Sequence, residues 1–241
     1  MKKLSELAQG ARFTYGGVEW VKLDTIGPGV LALSADFLFR RAFDGDNCND
    51  WRKSSLRREL NGEFLDALVA EGADRSAFLD WESDLTADDG MTDYGTATDK
   101  IALRSDALCR KYRAITPAVD AWCWNLTPWT CDPEYSCHAR CVHSDGTLDW
   151  RLAHRGYYGV RPLCYLNSEI LVSIPGEGKE AERNTYDEAV SAARDDILNM
   201  LNAYPVEVWG DALGAAVAAL FQSKKDAEEI AQEEKDKAVE G

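Results

Sequence analysis

Apolar and polar positions alternate from Ala11 to Ala35, as they do in strands that lay one face on a core. Phe13-Thr14-Tyr15 leads into a Gly16-Gly17 turn, and Val18 to Leu23 continues the alternation. After the Gly27-Pro28-Gly29 breaker, Val30 to Leu33 reads as a short buried strand, so a small antiparallel meander is expected. Asn47, Asn49 and Asp50 crowd a loop before Trp51; Ser54-Ser55 then offers an N-cap for a helix carrying Leu56, Leu60, Phe64, Leu65 and Leu68 on one face and ending at Gly72. The acidic, glycine-containing run from Asp84 to Asp99 predicts a surface loop. Ile101 to Leu103 predicts a brief strand, Asp106 to Arg113 a short helix, and Trp122 to Leu126 a core strand closed by Thr127-Pro128. Further strands are expected at Arg140–His143, Tyr158–Arg161 and Glu169–Ile174.

Beyond Ile174 the pattern changes period. Pro175-Gly176-Glu177-Gly178 reads as a linker; Tyr186, Val190, Ala193, Ile197 and Leu201 form a helical apolar stripe, Tyr204-Pro205 interrupts it, and a second helix is expected from Asp211 to Phe221. The organisation is therefore a mixed domain over 1–174 and a helical extension over 175–241. Two such helices have little core of their own and must pack on the first domain or on a second copy of the chain, so a homo-oligomer built through them is one expectation.

Composition narrows the functional classes. With 241 residues, 45% of them hydrophobic, and eight tryptophans, the chain can bury a sizeable core. A net charge of −15 disfavours nucleic acid and anionic lipid as partners. The first ten residues lack the apolar stretch of a secretory signal, and no run reaches the roughly 20 apolar residues of a membrane span. Seven irregularly spaced cysteines read as reduced thiols, so synthesis in a cytoplasm is expected, with a virion tail or cell-surface destination left open.

Candidate chemistry gathers in one stretch. Cys131 to Tyr158 holds all three histidines and three of the seven cysteines, in no amphipathic period, with the turn signal Ser144-Asp145-Gly146-Thr147 inside it and the strand signal Gly159-Val160-Arg161-Pro162 after it. Cys131, Cys137, His138, Cys141 and His143 are zinc-ligand types, but no CxxC pair occurs and no second half-site follows, so no metal or other cofactor is expected. Nothing marks an orienting group for a Cys/His nucleophile. Asp88, Asp89, Asp93 and Asp99 lack EF-hand spacing and read as a solvated loop. Asn125-Leu126-Thr127 matches a glycosylation triplet that a chain without a secretion signal does not use. Trp20, Trp51, Trp122 and Trp124 read as core, whereas Trp129 and Trp150 are better placed for contact with a ligand. Arg161 reads as scaffold, its guanidinium tying loops to a sheet through backbone carbonyls, with Pro162 fixing the strand's exit.

Over residues 11 to 174 the chain resembles a known family. The order of Gly16-Gly17-Val18-Glu19-Trp20, Trp51 with Ser54-Ser55-Leu56-Arg57, Leu60-Asn61-Gly62-Glu63-Phe64, Thr98-Asp99-Lys100-Ile101, Trp122 to Pro128 and Gly159-Val160-Arg161-Pro162 is similar to bacterial and phage domains of C-type-lectin-like fold. Within them it is most similar to the variable proteins of diversity-generating retroelements. The resemblance implies an α+β, C-type-lectin-like fold of short antiparallel strands and two helices. It also implies a variable region, about 129–158, rewritten at template adenines, usually in Asn codons. Such rewriting cannot produce Lys, Glu, Gln, Met or Trp. Cys131, Asp132, Tyr135, Cys137, His138, Cys141, His143, Asp149, Arg151, Leu152, His154, Arg155, Gly156 and Tyr157 all belong to the reachable set, while Glu134 and Trp150 would be fixed. With Trp129, these residues are the expected ligand-binding surface, pointing outward toward a protein or glycan on a cell surface. The expected function is recognition without catalysis. Two other classes stand beside it, a relative of formylglycine-generating enzymes, which use paired cysteines, and a structural virion protein without a ligand.

Overall fold

The computed structural model describes residues 1–175, which form one compact unit; the two helices expected after Ile174 lie outside the described residues. In chain order the strands are β1 (Lys2–Lys3), β2 (Arg12–Tyr15), β3 (Val18–Ile26), β4 (Gly29–Ser34), β5 (Phe39–Arg40), β6 (Phe78–Leu79), β7 (Trp81–Asp84), β8 (Thr96–Asp99), β9 (Ile101–Leu103), β10 (Cys123–Pro128), β11 (His138–Val142), β12 (Leu148–Leu152), β13 (Gly159–Val160), β14 (Pro162–Asn167) and β15 (Leu171–Val172). Helical segments are α1 (Ser55–Glu59) and α2 (Leu65–Ala70), joined by a π-helical turn over Leu60–Phe64, and α3 (Asp106–Lys111). The class is mixed α+β and mostly sheet.

Two sheets carry the structure. The first runs β2-β3-β4-β14-β6, with β9 also pairing β14, and the second runs β12-β11-β10-β13-β5. β1 pairs with β15 and β7 with β8. The predicted meander is β2, β3 and β4, and its first turn needs its glycines. Gly16 and Gly17 have φ of 59° and 71°, and a Cβ on Gly16 would meet the Leu68 carbonyl oxygen at 3.0 Å, so α2 packs directly on the turn. Ser54 caps α1 by accepting from the Arg57 N–H. Asn61 then fastens the π-helical turn to β9, accepting from Lys100 and Ile101 N–H and donating to the Ile101 carbonyl.

One apolar cluster joins the two sheets, taking Phe13, Trp20 and Leu166 from the first and Trp124, Leu126 and Cys141 from the second. The link between sheets is Arg161. It stands between β13 of the second sheet and β14 of the first, 2% exposed, and donates to the carbonyls of Ser34, Ala35 and Pro117. The scaffold role expected of this residue is what the structure shows.

Several expectations need correction. Residues 84–99 are not one loop, because β7 and β8 pair from Trp81↔Asp99 to Asp84↔Thr96. Asp99 is buried there, accepting from Trp51 Nε1 at 2.9 Å and Arg57 Nε at 2.7 Å, which removes it from any solvated acidic cluster. Pro162 does not end a strand; it begins β14, which occupies the middle of the first sheet. Proline is tolerated there because it opens the strand. The helix expected to Arg113 ends at Lys111, and the strand expected over Glu169–Ile174 is confined to Leu171–Val172. No strand was expected at Leu148–Leu152. There the pairing of β11 and β12, not side-chain alternation, makes the strand.

Candidate functional site

β11 and β12 form an antiparallel hairpin, registered from His138↔Leu152 to Val142↔Leu148, with the expected Asp145-Gly146 turn at its tip and Gly146 at φ 84°. The pleat sends His138, Arg140, Trp150 and Leu152 to one face, and Ala139, Cys141, Asp149 and Arg151 to the other. Each face carries an aromatic group.

On the first face Trp129 stacks with Trp150 at a centroid distance of 5.2 Å, and His138 and Tyr135 pack edge-on against Trp129 at 5.2 and 5.8 Å. Trp150 is 39% exposed and Tyr135 44%. On the second face the His143 ring lies flat on Trp122, centroids 3.7 Å apart, and the Arg151 guanidinium sits 4.8 Å from the centre of the Trp122 ring. Asp149 completes this group, 2.5 Å from Arg151 and 3.2 Å from His143 Nε2. Burial acts to raise the Asp149 carboxyl, but the Trp150 N–H and the Arg151 guanidinium outweigh it and hold the group below the usual carboxylate range. Tyr157, 56% exposed, lies against buried Tyr158. Trp122, Arg151, Tyr157 and Tyr158 line an open groove together with Arg40 and Asp120.

The main chain of this region is gripped from elsewhere. Asn49, fully buried, donates from Nδ2 to the carbonyls of Thr130 and His138, and its backbone N–H reaches the Ser136 carbonyl. Tyr94 OH donates to the Asn49 side-chain oxygen. The Asp44 N–H donates to the Ala153 carbonyl, the Ala153 N–H to the Cys137 carbonyl, and the Asn47 side-chain oxygen accepts the His154 N–H. Arg40 donates to the Tyr157 carbonyl. On the face of His138 and Trp150, Arg140 Nε meets Asp106 Oδ2 at 2.8 Å, and Asn125 donates to the other Asp106 oxygen at 2.7 Å. This buried pair ties β11 to α3, with Asn125 supplied by the adjacent strand β10.

The predicted contact residues divide unevenly. Asp132, Tyr135, His154, Arg155, Gly156 and Tyr157 are exposed, and Trp129, Cys137, His138, His143, Asp149, Arg151 and Leu152 are half-buried. Cys131 and Cys141 are not outward-facing: both are buried, Cys141 within the core cluster opposite Asp149. Burial pushes the Cys141 thiol up to about 12 and the Cys131 thiol up as well, which makes both poor nucleophiles near neutrality. Trp122, read as core, is 37% exposed because it precedes β10 and stands at the rim. Sequence reasoning also passed over the holders Asp44, Asn47 and Asn49. Their only signal was a polar crowd that also fits an ordinary loop. Among the described residues no group of three or more His, Cys, Asp or Glu is placed to hold a metal ion, and no helix is long and apolar enough to cross a membrane. No protein-family model, curated protein or solved structure matches the chain.

Proposed function

We propose that this protein recognises a ligand, a protein or glycan on a cell surface, through the surface of the Trp129–Tyr158 region, on a C-type-lectin-like domain of the retroelement-diversified kind. The observation that carries this reading is how the region is held. Asn49, Asp44, Asn47 and Arg40 reach the main-chain atoms of Thr130, Ser136, His138, Ala153, His154 and Tyr157. Hydrogen bonds to carbonyl and amide groups do not depend on which side chain a position carries, so the backbone keeps its course when the sequence changes. Exposed aromatic groups and exposed or half-buried arginines then supply the contacts. Tyr135, Trp150 and Tyr157 offer broad rigid surfaces, and Arg151 and Arg155 offer forked donors. Cys131 and Cys141 leave the proposed contact set because they face the interior.

The test combines Arg151→Ala, His154→Ala, Arg155→Ala and Tyr157→Ala. Substitutions at exposed His154, Arg155 and Tyr157 cost about 0.5 kcal/mol or less each, and half-buried Arg151, paired with Asp149, about 1 kcal/mol, so the combination lowers the melting temperature by no more than about 10 °C. A collapse of the fold would show these residues to be structural and would sink the reading. At the level of the gene, the segment encoding this region is expected to have a near-repeat beside a reverse transcriptase gene, with mismatches confined to template adenines.

A further inference from the structure

A second cleft, of about 490 Å³, lies between the hairpin tip and the segment that follows α3. Four arginines line it, Arg104, Arg110, Arg113 and Arg161, against a single carboxylate, Asp145. In a chain of net charge −15 this is a local reversal of sign. Arg110 approaches Asp88 and Asp106 only at 3.7 and 3.9 Å. Arg113 spends its donors on the carbonyls of Gly146 and Asp145, and Arg161 on those of Ser34, Ala35 and Pro117. Neither contact neutralises a positive charge.

Arg104 is the telling residue. It is 6% exposed, its Nε has no hydrogen-bond partner, and no ion pair joins it to a carboxylate among the described residues. A buried guanidinium without an anion is costly. Arg161 adds a second buried guanidinium beside it, pulled down to about 10 by its own burial and next by the Arg104 charge. The remaining wall is apolar, with Pro117, Val119, Val142 and Leu148 beside the arginines.

We propose that this cleft binds a small organic oxyanion, a carboxylate or phosphate head on an apolar body, with Arg104 and Arg113 as its charge partners. Planar guanidinium forks suit such heads, and the aliphatic wall suits the body. The arginines stand outside the Trp129–Tyr158 region, so the charge of the site does not depend on the recognition reading, whereas His143 and Leu148 of its wall lie within that region.

Calorimetric titration of the full chain at low ionic strength with phenyl phosphate, benzoate and inorganic phosphate tests this. Saturable binding of phenyl phosphate or benzoate is expected, about tenfold tighter than inorganic phosphate, and at least tenfold weaker in Arg104→Gln and in Arg113→Gln. Arg12→Gln, which changes an exposed arginine paired with Glu19 in β3, should leave it unchanged. Arg113 is exposed, so its variant reports even where Arg104→Gln fails to fold. Absence of saturable binding by all three probes, or binding that survives in folded Arg113→Gln at wild-type strength, overturns the proposal. Inorganic phosphate binding as tightly as phenyl phosphate overturns the apolar body.

Discussion

Arg161 illustrates how a single charged residue can hold a fold without an ionic partner. Its guanidinium satisfies three carbonyls at the place where the chain leaves one sheet for the other. Arg161→Met removes the donors and leaves those carbonyls unpaired in the interior. The expected loss is about 3–5 kcal/mol, read from a lowered denaturant midpoint. Lysine should not rescue it, because one ammonium cannot span carbonyls from both segments in a planar fork. Asp149 makes a different point. Its carboxyl lies below its ordinary value, so the stabilisation it gives is complete above about pH 3.9 and is lost as pH falls through the folded value. Thermal melts of the wild type and Asp149→Asn should therefore differ near neutrality and converge in acid.

At the scale of the element, the β11–β12 hairpin combines buried anchors with half-buried or exposed side chains on both faces. Its Arg140–Asp106 pair is buried, with Asn125 on the second carboxylate oxygen. Removing one partner strands the other, so Arg140→Ala is expected to cost about 3–5 kcal/mol. That is more than the combined alanine substitution of the four outer residues, although one of them, Arg151, lies in the same strand pair as Arg140. Urea denaturation of the two variants side by side measures the contrast. The helix from α1 to α2 shows a similar division. Its apolar face and its Ser54 cap are legible in the chain, whereas the π-helical turn at Leu60–Phe64 is not, since Asn61's bonds to β9 come from a strand some 40 residues away.

Across the described unit, both sheets share one core. Trp20 of the first sheet and Trp124 of the second belong to the same buried cluster, and Phe43 bridges Trp51 and Trp124 at ring distances of 5.6 and 5.9 Å. The two sheets should unfold together. Separate Trp20→Phe and Trp124→Phe variants, each followed by the remaining tryptophan fluorescence and by circular dichroism, are expected to show coincident transitions within each protein. Distinct midpoints for the two probes would show that the sheets are independent.

Local pattern settled the meander, the capped helix, α3, the core strand through Trp124 and the turn at Asp145-Gly146, because each depends on neighbours a few residues apart. It also marked Arg161 as a scaffold residue and the 131–158 stretch as chemically unusual. Tertiary structure alone decided which members of that stretch face outward, since a strand's two faces are told apart only by what lies beneath them. Cys141 and Arg151 share a face, yet Cys141 is buried in the core cluster with Trp124 and Tyr158 while Arg151 rests on the exposed Trp122 ring. Tertiary structure likewise gathered Arg104, Arg110, Arg113 and Arg161 into one cleft, and gave Asn49 its grip on a backbone more than 80 residues away. Long-range pairing is written in no single segment, because its energy appears only when distant segments meet.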